Sequence, residues 1–342
     1  MQNKKHLIII SVLILILSVL VYYGLVASNL FPAQAAAQAI PIDWLFDLEL
    51  KLIAFFFSVI MVPMVYSLVV FRKDDDDQSD GPHMEGNTTL EIVWTVIPLI
   101  IVIILGIIGA DNLKRVLTVD PQANQIKVVG FQWGWRFEYP QGFVSNELYL
   151  PIDQQTVLKM ESSDVIHSFW VPEFRIKQDV LPGQITEYRI TPNLLGSYVV
   201  SCAELCGSKH AYMVGNIRVV SENEYTTWVD GQVKLAKEIE LASAGKPDAG
   251  RGKQLYETAG CKACHSINGS EGTGPTWSGL FGHEVTLADG SVVVADDQYL
   301  FNSIKQPALQ TVEGYPSNAM PDFSYLKEGQ IKDLIEYIKT LE

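Results

Sequence analysis

The densest chemistry in the chain is Cys202-Ala-Glu204-Leu-Cys206-Gly-Ser-Lys-His210-Ala-Tyr-Met213, with a second histidine upstream in Asp164-Val-Ile-His167-Ser-Phe-Trp-Val-Pro172. Two thiolates, two imidazoles and a thioether are soft or borderline ligands, a set that prefers copper over calcium, magnesium or manganese. Zinc also takes cysteine and histidine, but a methionine three residues after a histidine is an unusual zinc ligand. A single blue-copper centre needs one cysteine, so the second, four residues on, is surplus to it. Two cysteines in one loop could bridge two copper ions, each completed by His167 or His210, with Met213 and the Glu204 carbonyl in the last positions. A disulfide or a zinc loop is the competing reading of the same residues.

A second constellation is Cys261-Lys-Ala-Cys264-His265, the attachment motif of a c-type haem. Two thiols add to the haem vinyl groups, and the adjacent histidine stands over one face of the iron. Met320, in Tyr315-Pro-Ser-Asn-Ala-Met320-Pro321, is the sole methionine after the motif and offers sulfur to the other face. A Met/His pair raises the reduction potential and leaves no open site, which suits electron transfer rather than oxygen binding. His283 is the one other axial candidate of note, and its place soon after Pro275 points to surface or loop packing.

The elements that must position these groups begin in a membrane. The chain has 342 residues, 48% of them hydrophobic, and three apolar runs: Leu7 to Val26, Leu52 to Phe71 and Ile92 to Ala110. Each meets the roughly 20 residues that a spanning helix needs. Pro63 and Pro98 fall within the second and third, where packing on neighbouring helices tolerates them. Lys4-Lys5 before the first run and Arg72-Lys73 after the second belong inside by the positive-inside bias, together with the acidic run Asp74–Asp77. Everything after Asp111 is then exported. The first run, followed by small residues around Ala35–Ala39, reads either as a cleavable secretory signal or as a retained anchor.

Residues 120–222 read as short β-strands separated by turns at Pro140-Gln141-Gly142, Pro182-Gly183 and Gly207. The strand segments are Gln125–Val129, Thr156–Glu161, Thr186–Thr191, Tyr198–Ser201 and Asn216–Val220, a spacing that suggests a sandwich or small barrel. The alternating aromatics of Phe131-Gln-Trp133-Gly-Trp135-Arg-Phe137-Glu-Tyr139 are expected to line one face of a strand. Glu224 to Leu241 reads as a charged connecting helix, Ala244-Gly-Lys-Pro247 as a linker, and Asp248–Thr258 and Glu328–Leu341 as helices with glycine-rich loops between them. Four cysteines in two close pairs exclude a disulfide-stapled scaffold. The net charge of −14, from 25 Lys+Arg against 39 Asp+Glu, argues against nucleic acid as a partner and suits a basic one.

The copper-type cluster, the two preceding membrane helices and the strand region together resemble the CuA subunit, subunit II, of cytochrome c oxidase over residues 45–225. The resemblance implies a membrane hairpin and an all-β, cupredoxin-like Greek-key barrel. It also implies that Cys202 and Cys206 bridge two coppers completed by His167, His210, Met213 and the Glu204 carbonyl, with the Glu204 carboxylate reaching a magnesium ion at the boundary with the catalytic subunit. A tryptophan matching Trp133 is the family's point of electron entry. A glutamate matching Glu91, three residues before Trp94, lies at the mouth of a proton channel of the catalytic subunit. The alternative for Glu91 is a capping box, Thr88-x-x-Glu91, at a helix start.

Residues 247–342 resemble a class I cytochrome c, an all-α domain. In Gly274-Pro275-Thr-Trp277-Ser-Gly279 the family's proline carbonyl accepts a hydrogen bond from the haem histidine. Gly252 and Tyr256, with Leu334 and Tyr337, match the positions where the first and last cytochrome helices cross. The expected architecture is thus a multidomain membrane protein. It has a signal or anchor helix in residues 1–30, a hairpin in 45–112, a CuA domain in 113–225, a connector in 226–246 and a cytochrome c domain in 247–342.

The expected function is electron transfer in a terminal oxidase of the caa type: electrons enter at haem c, pass through CuA and leave for the haem-copper catalytic subunit that reduces oxygen. From Lys246 to Glu342 the chain carries 8 Lys/Arg against 13 Asp/Glu, net −5, which suits a basic donor. Other readings are the small subunit of a CuA-containing nitric oxide reductase and a membrane copper carrier or assembly protein. The expected location is the cell membrane, with the copper and haem parts on its outer side.

Overall fold

A computed structural model describes residues 2–73, 83, 85–315, 320, 323 and 325–341. The acidic run Asp74–Asp77, Met1, Met84 and Pro321 lie outside them. The chain divides into two compact units, residues 1–34 with 38–118, and residues 35–37 with 119–342.

The first unit is three helices: α1 (Gln2–Ala27), α2 (Ala39–Val70) and α3 (Thr88–Leu117). All three are long and apolar enough to cross a membrane. Ile60, Leu68 and Ile107 are each about two-thirds exposed, a surface that water disfavours and lipid accepts. Two polar contacts join the first two helices. The Tyr22 hydroxyl donates to Asp47 at 2.6 Å and His6 meets the Tyr66 hydroxyl at 2.7 Å, so α1 packs on α2. The N-cap of α3 is Asn87, whose side chain accepts from the Leu90 amide; the expected capping box from Thr88 does not form, because Thr88 is already the first helical residue.

The second unit holds two cores. Ten strands form two five-stranded sheets: β1 (Asn124–Phe131), β2 (Gly134–Glu138), β3 (Val144–Ser145), β4 (Glu147–Pro151), β5 (Thr156–Ser162), β6 (His167–Val171), β7 (Ile176–Val180), β8 (Thr186–Ile190), β9 (Gly196–Cys202) and β10 (Val214–Val220). One sheet has the order β3-β2-β1-β5-β8, the other β4-β10-β9-β6-β7. Their facing residues, among them Ile126, Phe137, Leu148, Leu158, Met160, Phe169 and Ile217, make a single apolar core. This is a cupredoxin-like sandwich. The aromatic stretch 131–139 is not one strand but a hairpin, with Phe131 paired to Gly134, so Gln132 and Trp133 form its tip. Ala35 and Ala36 are buried in this same core, and the Ala35 and Ala37 amides donate to the Glu173 and Thr191 carbonyls.

The remaining elements are α4 (Glu222–Ser243), α5 (Ala249–Thr258), β11 (Glu284–Thr286), β12 (Val292–Val294), α6 (Asp297–Lys305) and α7 (Glu328–Ile338). Helices α5 and α7 cross so closely that a Cβ on Gly252 would lie 2.0 Å from the Asp333 carbonyl oxygen, which only glycine permits. The second core gathers Leu255, Tyr256, Trp277, Leu300, Ile331 and Leu334. The ribbon β11–β12 and helix α6 occupy the stretch read as loops.

Helix α4 belongs to both cores. Trp228 stacks on Tyr149 and meets Tyr139 and Phe143 edge-on, while Ile239 packs on the second core. At its end Ser243 donates to the fully buried carboxylate of Asp333, which also accepts from the Asp248 amide at 2.7 Å and from the Arg251 guanidinium at 2.8 and 2.9 Å. The connector is therefore a packed strut rather than a loose tether.

Candidate copper and haem sites

The first site forms where β6 and β9 pair and where the loop after β9 returns. His167 opens β6, Cys202 closes β9, and the turn of Cys206 to Met213 leads into β10. The two free thiols lie with sulfurs 3.7 Å apart. His167 Nδ1 is 3.8 Å from Cys202 Sγ, and His210 Nδ1 is 3.6 Å from Cys206 Sγ. Met213 Sδ lies 3.8 Å from Cys206 Sγ, and the Glu204 carbonyl 3.2 Å from Cys202 Sγ. Each sulfur thus has its own imidazole and its own weaker neighbour, a donor set that fits a pair of copper ions. His167, Cys202, Cys206 and Met213 are buried, whereas the Glu204, Leu205 and Tyr212 rim is exposed.

The residues around the sulfurs shape their protonation. Burial works against the Cys202 thiolate, but hydrogen bonds from His167 and from the backbone at Glu204 and Ser168 bring it down to about 6. Burial and the neighbouring Cys202 charge push Cys206 up to about 12. His167 Nε2 donates to Asp164 Oδ1 at 2.7 Å, so it is Nδ1 that faces Cys202 Sγ, donating to the thiolate when protonated and free to act as a ligand when not. Burial opposes a charge on the His167 ring, yet Asp164 and Cys202 outweigh it and raise the ring above the ordinary histidine value. A buried carboxylate behind a ligating imidazole fixes its tautomer and orientation. Asp164 and Gln132 are the members of this site that the sequence did not single out. Gln132 donates its amide N–H to Asp164 Oδ2 at 2.6 Å and its side-chain amide to the Cys206 carbonyl at 2.6 Å. Trp133 is half-buried beside it, its indole N–H 3.2 Å from the same carbonyl and the Lys209 ammonium 5.7 Å from its ring centre.

The second site is a cavity of about 400 Å³ lined by Cys261, Cys264, His265, Met320, Trp277 and Leu300, among others. Its mostly apolar wall, with two thiols, one imidazole and one thioether, fits a covalently held haem. His265 Nδ1 lies 2.7 Å from the Pro275 carbonyl; a carbonyl only accepts, so Nδ1 carries the proton and Nε2 is left to bind iron. Burial lowers the His265 pKa, the Pro275 contact opposing it, so the ring is a neutral ligand. Tyr256 donates to the His265 carbonyl at 2.8 Å and Trp277 stacks on the ring, which holds the attachment loop. Burial pushes Cys261 up to about 12 and Cys264 to about 11. His283 is exposed and is not among the cavity residues. Glu91 and Trp94 lie exposed on α3 in the other unit.

Three stretches of the chain match known protein families. Residues 24–110 match the transmembrane domain and residues 142–220 the periplasmic domain of cytochrome c oxidase subunit II, and residues 249–342 match cytochrome c. Cytochrome c oxidase subunit 2 of Synechocystis is 32% identical over 270 residues, covering 65% of this chain and 80% of that protein. That of Alkalihalophilus pseudofirmus is 29% identical over 312 residues, covering 88% of each. Among solved structures, the periplasmic domain of subunit II of the Bradyrhizobium japonicum cytochrome oxidase is 33% identical, with a TM-score of 0.32, covering 34% of this chain and 98% of that one. With donors for copper in its sandwich and a haem-attachment motif behind it, this chain belongs to the cytochrome c oxidase subunit 2 family and carries a cytochrome c domain at its C-terminal end.

Proposed function

We propose that Cys202, Cys206, His167, His210, Met213 and the Glu204 carbonyl hold a binuclear copper centre, and that Cys261, Cys264, His265 and Met320 hold the haem, in an electron-transfer subunit of a terminal oxidase. When bound, the two groups supply one-electron chemistry without an open site for oxygen. The carrying observation is the paired donor set, two sulfurs 3.7 Å apart with one imidazole nitrogen each at 3.8 and 3.6 Å.

The protein's own residues do the rest. Asp164 and Pro275 hold His167 and His265 in the tautomers that present Nδ1 to copper and Nε2 to iron. The sandwich core keeps water from the sulfurs, so little solvent must reorganise when charge moves. Trp133, tied to the Cys206 carbonyl, serves as the point of electron entry from outside. The exposed rim of Leu205, Tyr212 and the Glu204 carboxylate faces the catalytic subunit, where Glu204 reaches a magnesium ion. The acidic haem region receives a basic donor on the outer side of the cell membrane. Metal analysis and electron paramagnetic resonance of the purified chain test this reading: two coppers sharing one unpaired electron are expected, and one labile copper overturns it.

Glu91, at the start of α3, serves the proton channel of the catalytic subunit. Glu91→Gln in the assembled oxidase is expected to slow oxygen consumption several-fold, with copper and haem content intact. Unchanged turnover reduces Glu91 to an acid placed favourably at a helix N-terminus.

A further inference from the structure

The haem-bearing half and the copper-bearing half meet at the tip of the β1–β2 hairpin. Phe131, the last residue of β1, lines the haem cavity together with Cys261, Cys264 and His265, so the cavity wall is completed by the other half. The next residue, Gln132, touches three groups. Its carbonyl oxygen lies 3.7 Å from Cys264 Sγ, and its side-chain amide donates to the Cys206 carbonyl at 2.6 Å. Its backbone N–H donates to Asp164, which in turn holds His167. Gly207 makes room for this reach: at φ +118° a Cβ there would lie 2.9 Å from both the Gln132 amide nitrogen and the Trp133 ring.

Three contacts fasten the halves around this point. Lys209 donates to the Thr273 hydroxyl at 3.0 Å, and Asn146 to the Thr258 carbonyl at 3.3 Å. The Arg136 guanidinium sits 4.9 Å from the Tyr325 ring centre. With α4 packed into both cores, the haem half has one fixed pose rather than a range of encounters.

Resting on the assignment of the two sites above, we infer that Gln132 is a positioning residue that joins the haem-attachment loop to the copper loop, giving the covalent haem its own route to copper that does not use Trp133. The step it serves is the loss of one electron by the ferrous haem and its gain by the oxidised copper pair, with no bond or proton changing hands. The residue spans the gap, its backbone carbonyl beside the sulfur that would carry the haem edge and its side-chain amide on the peptide of a copper cysteine. Trp133 reaches that same peptide from its other neighbour and is left for an external donor.

The experiment compares the holoprotein with its Gln132→Ala and Trp133→Phe variants. After flash reduction of the haem, Gln132→Ala is expected to slow haem-to-copper transfer by about 10-fold or more and to alter the copper hyperfine splitting, while copper and haem content hold. Trp133→Phe is expected to slow electron entry from an external donor far more than it slows this internal transfer. Should Gln132→Ala lose its cofactors, Gln132→Met, which keeps the side-chain length and removes only the amide, takes its place with the same expected slowing. An unchanged internal rate with unchanged hyperfine splitting overturns the inference, as does slowing by Trp133→Phe alone. Wild-type protein that lacks the copper pair or the haem overturns the site assignment itself, a separate result read before any variant is compared.

Discussion

Cys202→Ser or Cys206→Ser is expected to cut copper from two ions per chain to one at most, and to abolish the shared-electron resonance signal. Serine keeps the size of cysteine and loses the soft, ionisable sulfur that copper selects. The two sulfurs are not equivalent in the metal-free chain: Cys202 is drawn down to about 6 by His167 and backbone hydrogen bonds despite burial, whereas Cys206 is driven up to about 12 by burial and by its neighbour. On the proposed assignment copper would take both as thiolates, so either loss would remove a bridge. In Cys202→Ser the surviving Cys206 sulfur keeps His210 Nδ1 at 3.6 Å and Met213 Sδ at 3.8 Å, half of the original donor set. Even outer-sphere changes at metal sites cost 10–100-fold, so loss of a bridging ligand is expected to lower electron delivery to the catalytic subunit by more than about 100-fold. Metal analysis and resonance spectra of the two variants check this. Two coppers retained in either one contradict it.

The haem prediction is of similar size. Cys261→Ala with Cys264→Ala is expected to abolish covalent haem, read as the loss of thioether-type absorption bands from the denatured chain. The consequence for folding is large because the cavity to be filled is about 400 Å³. Left empty, its mostly apolar wall would meet water instead of the haem face, and a domain whose whole margin is about 5–15 kcal/mol has little to set against that loss. The C-terminal domain of the haem-free chain is therefore expected to lose protection against proteolysis while the β-sandwich keeps its own core. Equal protease resistance of both halves without haem contradicts this.

The two sites were legible because their chemistry depends on rare residue types at short, fixed spacings: Cys202/Cys206/His210/Met213 and Cys261/Cys264/His265 announce themselves locally. Their supports did not. Asp164 and Gln132 lie 32 residues apart and act only because β1 and the loop before β6 converge. The strand at His167–Val171 was hidden because it is buried on both faces except at Trp170, so it shows no alternation. The strand Ile176–Val180 was masked by Lys177, Gln178 and Asp179. The aromatic stretch 131–139 looked like one strand because alternation continues across the hairpin; its tip at Gln132-Trp133 lacks the usual Asn-Gly or Gly-Gly signal. Helix α4 read as a charged connector, and its role as a strut emerges only when Trp228 and Ser243 meet residues far away in the chain.

The contacts described across the seam pair cations and amides with neutral acceptors and a ring: Lys209 with a hydroxyl, Asn146 and Gln132 with carbonyl and sulfur groups, Arg136 with Tyr325. Added electrolyte screens attraction between exposed opposite charges over a Debye length of about 8–10 Å, and these contacts offer it little to weaken. A diffusing basic partner drawn to an acidic surface is at the mercy of ionic strength, while the built-in partner is not. Transfer from the haem to the copper pair inside the chain would thus hold its pace at ionic strengths where recruitment from outside falters.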